Sequence, residues 1–186
     1  MSKSKPISSG SKSKSIVLID GSNFYFKLKS LGLINQLAFN YHDFAKFIVG
    51  KSELLSATYY VGKVRADATK KSQKLHKNQQ RLLAQLRKHG YSYKLGYLLK
   101  TDGSYHEKGV DVQLAVDLLA AAYENVVDRI ILISSDTDLI PAIRKAQSMG
   151  KIVEHIGFHH QKSIALATEC KKSRRLMLAD LQPFIG

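Results

Sequence analysis

The run Ile130-Ile-Leu-Ile-Ser-Ser-Asp-Thr-Asp138 constrains the fold more than any other stretch of the chain. Four consecutive apolar residues describe a strand covered on both faces, the usual state of a strand in a parallel sheet. Two small hydroxyls and two acids follow at its carboxyl end, the edge where open α/β sheets place their ligands. The design recurs in Ile16-Val-Leu-Ile-Asp20-Gly-Ser-Asn23, again an apolar strand with an acid at its tip and then a turn. Two acid-tipped buried strands in one small chain suggest a metal-dependent site.

Between and beyond these strands the chain alternates. Ser22 is positioned to cap a helix through Leu31, with Gly32 as its stop. Tyr41 to Gly50 reads as a second helix with Phe44, Phe47 and Ile48 on one side, and Leu54 to Val64 as a strand. Thr69 to His89 is a long polar helix with a thin apolar stripe of Leu75, Leu82, Leu83 and Leu86. Tyr91 to Leu99 reads as a strand, Lys100 to Lys108 as a polar loop and the best candidate for a mobile flap. Val110 to Asn125 is a helix, Asp138 to Met149 another, Ile152 to Ile156 a strand, Ser163 to Cys170 a helix, and Arg174 to Phe184 a closing strand or short helix. Strands alternating with helices imply a three-layer α/β/α sandwich around a central, mainly parallel sheet.

A chain of 186 residues with 44% apolar residues is most simply one domain with a sizeable core. The expected division is a basic disordered tail over 1–14 and a single domain over 15–186. The tail is rich in Ser, Lys and Gly and lacks the apolar segment of a signal peptide. One cysteine, Cys170, excludes an intrachain disulfide framework. No apolar run approaches a membrane span, so no membrane partner and a cytoplasmic location are expected, with monomer and homodimer both open.

Charge is the compositional outlier. Lys and Arg number 29 against 15 acids, a formal net charge of +14. The excess concentrates between Gly62 and Lys100, on Lys70, Lys71, Lys74, Lys77 and Arg81 among others, and again at Lys171, Lys172, Arg174 and Arg175. A basic face of this kind is either a solubilising surface or the footprint of a phosphate-backbone binder. Acids gathered at strand tips favour the second, since a polyanion can be held by its flanks while a cation handles the reacting phosphate.

Each acid has a plainer reading beside the chemical one. Asp20 in Asp-Gly-Ser-Asn is either a turn acid that caps a helix or a metal ligand. Asn23 adds an amide able to orient a carboxylate, a water or a phosphate oxygen. Asp136 and Asp138 flank one threonine and repel each other unless a positive charge sits between them; Asp138 fits a helix cap as well as a ligand. Oxygen donors of this type suit Mg2+ or Mn2+. Asp111 opens a helix, where an acid also suits the helix dipole, and Lys108 just before it either contacts phosphate or faces water. Asp117 lies among Val116, Leu118 and Leu119, an unusual place for an acid, and either supports the site through a hydrogen bond or caps a partner.

Other constellations fall away. There is no glycine-rich phosphate loop. His155, His159 and His160 lack cysteine partners or helical spacing and are read as lining the site edge or facing solvent. Tyr59, Tyr60, Tyr91, Tyr93 and Tyr97 are read mostly as core and cross-strand residues, with one or two of them able to stack bases.

Taken together, Asp20-x-x-Asn23 after a first strand, Lys108-Gly-x-Asp111 opening a helix, and Ser134-Ser-Asp136-x-Asp138-x-x-Pro141 after a late strand resemble the NYN domain, a branch of the PIN-like nucleases. The resemblance runs from Ser15 to Ile185 and includes Gly157-Phe158, Ser163 and Ala179-Asp180. Ser135 departs from it, standing where many relatives carry glycine. The resemblance implies a PIN-like sheet and a divalent-metal ribonuclease site, with Asp20, Asp111, Asp136 and Asp138 as metal-binding acids and Asn23 as the nearby amide; Ser134, Ser135 and Asp117 are expected to support them from behind. The expectation is an endonucleolytic, Mg2+- or Mn2+-dependent ribonuclease with RNA as partner, gripped by Lys70, Lys71, Lys74, Lys77, Arg81 and Lys108. The alternatives are a non-catalytic RNA-binding module of the same fold and a phosphatase acting on small phosphate esters.

Overall fold

The computed structural model of the chain describes residues 12–33, 35–66, 68–101, 104–161 and 163–185, and the side chains of all of these except 100, 101 and 104–107. In chain order, β1 (Lys14–Asp20), α1 (Gly21–Ser30), α2 (Tyr41–Val49), β2 (Glu53–Val61), α3 (Lys70–Lys88) and β3 (Ser92–Leu95) build one half. A hairpin of β4 (Tyr97–Thr101) and β5 (Ser104–Lys108) follows. Then come α4 (Val110–Tyr123), β6 (Arg129–Ile133), α5 (Ile140–Ser148), β7 (Ile152–Phe158), α6 (Ile164–Glu169), β8 (Lys172–Leu176) and α7 (Leu178–Leu181).

The central sheet is six-stranded, ordered β3-β2-β1-β6-β7-β8, and every pairing in it is parallel. Successive residues of a strand face opposite sides, and both sides are covered. Val17, Ile19, Ile131 and Ile133 pack on one face with Phe24, Leu28, Phe44 and Leu86 of α1, α2 and α3. Ile16, Leu18, Ile130 and Leu132 pack on the other with Leu114, Ile143 and Leu166 of α4, α5 and α6. This is the expected three-layer sandwich, and burial on both faces is why its central strands read as unbroken apolar runs.

The strand order reverses between β1 and β6: from β1 the chain grows outward through β2 and β3, and from β6 it grows the other way. The helices that follow these two strands lie on opposite faces, which opens a crevice at their carboxyl ends. Ile19 stands level with Ile133, so Asp20 and Ser134 leave the sheet side by side.

Several local expectations are corrected. The cap of α1 is Asp20, whose carboxylate accepts from Asn23 N at 3.0 Å, and not Ser22, because the helix begins one residue after the strand ends. Leu75 is 50% exposed and leaves the apolar stripe; α3 meets the core through Leu82, Leu83 and Leu86, with Gln79 one turn earlier hydrogen-bonded to Val64 N and Gly62 O. The strand read over Tyr91 to Leu99 breaks at Gly96, where β2 ends and Gly96 N donates to Val61 O. The loop read over Lys100 to Lys108 belongs to the β4–β5 hairpin, paired from Tyr97↔Lys108 to Thr101↔Ser104, and its residues 102–103 lie outside the described residues. Tyr97 is 72% exposed, a cross-strand residue opposite Lys108 rather than a core one. Lys14 already belongs to β1, and residues 1–11 of the expected tail lie outside the described residues.

Candidate active site

Ser134 is the joint of the site. It is buried at the carboxyl end of β6, and its hydroxyl donates to Asp20 Oδ2 at 3.0 Å while accepting from Asp136 N at 3.0 Å. One side chain therefore sets the distance between the two acid-bearing strand ends. Asp136 Oδ1 in turn accepts from Asp138 N at 2.9 Å, which caps a 3-10 turn over Thr137–Leu139 and leads into α5. Ser135 Oγ donates to Asn23 Oδ1 at 3.1 Å. The amide oxygen of Asn23 is thereby engaged, which leaves its nitrogen as the donor that a ligand in the pocket could use.

Asp20, Asn23, Asp111, Ser135, Asp136 and Phe26 line one pocket of about 350 Å3 at this crevice. Asp111 reaches it from the first turn of α4, whose start is set by Gly109 at φ 85°, a left-handed conformation that glycine adopts without strain. A Cβ at that position would also press on the Tyr97 ring at 3.0 Å.

The electrostatics of Asp20 follow from its position. Burial raises its carboxyl above the ordinary aspartate value, and the neighbouring charge of Asp136 pushes it in the same direction. Hydrogen bonds from Asn23 N and Ser134 act in the opposite sense. A cation between Asp20 and Asp136 would remove both penalties. Among the described residues, no group of three or more histidine, cysteine, aspartate or glutamate side chains is arranged to hold a metal ion as it stands. The fit is thus one of donor chemistry, three carboxylates and an amide on one pocket, rather than of a ready-made cage.

The remaining candidates fall elsewhere. Asp138 is exposed on the 3-10 turn, beside the pocket and outside its lining. Asp117 lies inside a separate network, accepting from Tyr60 OH at 2.7 Å and from Gln113 Nε2 at 3.0 Å and pairing with Lys94 Nζ at 2.7 Å. Tyr60 is level with Asp20 on the neighbouring strand, so Asp117 braces α4 against β2 and β3 one strand away from the acids. Lys108 is exposed at the end of β5; Lys70, Lys71, Lys74, Lys77 and Arg81 are all exposed along α3 and form a basic face apart from the pocket.

Of the two readings of His155, site edge or solvent, its position agrees with the first: it is buried beside Ser134, with Nε2 3.0 Å from Ser134 O and Nδ1 3.3 Å from Ser173 Oγ, so it ties the tip of β6 to β8. One residue escaped sequence reasoning. Phe26 is 62% exposed at the pocket. The signal for it was present: of Phe24, Tyr25 and Phe26, consecutive residues of one helix, the core-facing side can take only some, and Phe24 takes it with Leu28 one turn on.

The sequence model of the NYN domain family matches residues 14–176. A protein of unknown function from Vibrio parahaemolyticus has a similar structure, with a TM-score of 0.66 at 25% identity, over 97% of this chain and 100% of that one. A weaker likeness, TM-score 0.43 at 14% identity, covers 80% of this chain and 56% of a T5 5'-exonuclease with zinc ions bound. An uncharacterized protein of Methanocaldococcus jannaschii is 42% identical over 57 residues, 31% of this chain and 24% of that protein. The match to this relative thus spans about a quarter of its length.

Proposed function

We propose that this chain, which belongs to the NYN domain family, a family of the nuclease type, is a divalent-metal-dependent ribonuclease that cleaves RNA phosphodiester bonds internally. The observation that carries the reading is the shared hydroxyl of Ser134, which links Asp20 to the backbone of Asp136 while Asp111 lines the same pocket. Asp20, Asp111 and Asp136 would hold Mg2+ or Mn2+. Such a cation, when bound, lowers the pKa of a water and offsets charge developing on the phosphate. Asn23, its oxygen held by Ser135, would orient a substrate oxygen through its amide nitrogen. Asp138 would join the ligand set or take a proton from the attacking water. The exposed lysines of α3 would steer the strand without reading its sequence. Internal cleavage is favoured because the acidic pocket shares Ser22 and Phe26 with a second groove, so a strand can run past the acids rather than end at them.

One observation favours a second reading. The lack of a ready-made three-residue ion site among the described residues also suits an RNA-binding module that has no turnover. Metal-stripped protein incubated with labelled single-stranded RNA, with Mg2+ or Mn2+ added and then chelated, separates the two. Metal-restored cleavage supports the ribonuclease. Salt-sensitive binding with no cleavage of any RNA supports the module. Release of phosphate from small esters without cleavage of RNA would turn the reading toward a phosphatase.

A further inference from the structure

Phe26 has no task in the core. Its helix meets the sheet through Phe24 and Leu28, and its own ring stays largely in water. The ring stands where two cavities meet, lining both the acidic pocket and a groove of about 630 Å3 between α1, the end of β2 and α3. Beyond Phe26 the groove is walled by Tyr25 and by Leu75, the residue that α3 turns away from the core. Asn35 and Asn78 bring amides to the same groove, Gln36 brings a third whose Nε2 already donates to Tyr59 OH at 3.4 Å, and Lys63 brings a cation. Gln79 spends its own amide on Val64 N and Gly62 O, so it shapes the wall rather than offering hydrogen bonds.

This combination selects among occupants. A lipid tail or an apolar peptide face would use the rings but leave the amides unpaired, at a cost in desolvation. A free phosphate would use Lys63 and the amide donors but leave the Phe26 and Tyr25 rings and Leu75 without a partner. An unpaired nucleotide uses all three: a flat base for the ring, donors and acceptors on the base edge for the amides, and a backbone phosphate for Lys63. The volume also lies within the range of small-ligand pockets, roughly 300–1,000 Å3.

We infer that this groove receives an unpaired base of the RNA strand, stacked on Phe26, next to the phosphate held at the acids. The position of that phosphate rests on the ribonuclease reading above, whereas capture of the base does not require turnover. A duplex keeps its bases stacked and paired, so the groove gives a preference for single strands.

The test is fluorescence anisotropy in the presence of chelator, with a short single-stranded RNA, the same oligomer carrying abasic positions, and a duplex of the same sequence. Phe26→Ala should weaken single-strand binding by about tenfold, and Phe26→Trp should restore it. The abasic oligomer should bind the native protein weakly and lose nothing further in Phe26→Ala. Equal binding of base-bearing and abasic strands overturns the inference, as does an unchanged affinity in Phe26→Ala or no RNA binding at all. If base-dependent binding persists while no RNA is ever cleaved, the ribonuclease reading fails and the groove stands. If cleavage is metal-dependent while the Phe26 arm is flat, the groove fails alone.

Discussion

The hydroxyl of Ser134 donates to Asp20 Oδ2 across 3.0 Å, joining two neighbouring strand ends that lie 114 positions apart in sequence. The same oxygen accepts from Asp136 N, so one buried atom fixes both acids. Ser134→Ala leaves a buried carboxylate oxygen and a backbone N–H without this partner. The expected cost is about 1–3 kcal/mol of stability, measured by denaturant unfolding. A cost near zero would mean that the two strand ends hold their register without it.

The pH dependence should show the same joint. Asp20 must be ionised to hold a cation, and burial raises its carboxyl above the ordinary range while the Ser134 hydrogen bond acts against that shift. Binding of Mn2+ to the metal-free protein should therefore weaken on acidification at a higher pH than an ordinary aspartate would give. In Ser134→Ala the acid limb should move to still higher pH. For the metal-free fold the sign is opposite: the folded state binds its proton more tightly than the unfolded chain, so stability rises as pH falls through the raised value. A profile of Mn2+ affinity against pH with its acid limb in the ordinary aspartate range would argue against the buried Asp20 as the metal ligand.

Metal should stabilise the protein where Asp20 is present. At a concentration of Mn2+ about a hundredfold above its dissociation constant, linkage gives about 2.7 kcal/mol, or roughly 5–10 °C in melting temperature for a domain of this size. Asp20→Asn should abolish that shift. A melting curve that ignores Mg2+ and Mn2+ in the native protein argues against a metal site.

Gly21 makes the turn after Asp20 possible. A Cβ there would meet Tyr59 Cε1 at 2.1 Å and the Tyr60 carbonyl at 2.7 Å. Both belong to buried residues of the adjacent strand, and Tyr59 OH also donates to Gly21 O. Gly21→Ala should cost about 1–3 kcal/mol through overpacking and should lower activity by moving Asp20. Unfolding curves that superimpose on the native protein would show that β1 and β2 can part at no cost.

Asp117 and the α3 lysines should separate from the acids in their effects. Asp117→Asn loses its ion pair with Lys94 but can still accept from Tyr60, so it should reduce activity far less than Asp136→Asn; equal losses would move Asp117 to the metal. Replacing Lys70, Lys71, Lys74 and Lys77 with Gln should weaken single-stranded RNA binding across sequences. It should also flatten the slope of log K against log salt by about 0.7 for each phosphate that is no longer neutralised. An unchanged slope would make α3 a solubilising face.

Much of this is legible in the sequence because the strongest constraints are local. A strand buried on both faces announces itself as an apolar run, and acids at its end can only stand at the sheet edge, which makes Asp20, Asn23 and Asp136 readable together. What stays hidden depends on distant partners. Asp-Gly-Ser-Asn offers two helix caps, and only the true end of β1 decides for Asp20 over Ser22. Asp117 reads as support for the acids, yet its partners Tyr60 and Lys94 come from strands remote in sequence. Gly96 reads through as strand because nothing nearby tells where β2 runs out. His155 has no assignable role until β7 is seen between β6 and β8.

The most direct test is single-turnover cleavage of a labelled single-stranded RNA in Mn2+ by the native protein and by Asp20→Asn, with melting curves confirming that both are folded. Metal-dependent cleavage is expected of the native protein, with a loss of at least about a hundredfold in the variant, since charge stabilisation by a bound cation is worth several kcal/mol. Cleavage by Asp20→Asn at the native rate would rule out a catalytic metal held by Asp20.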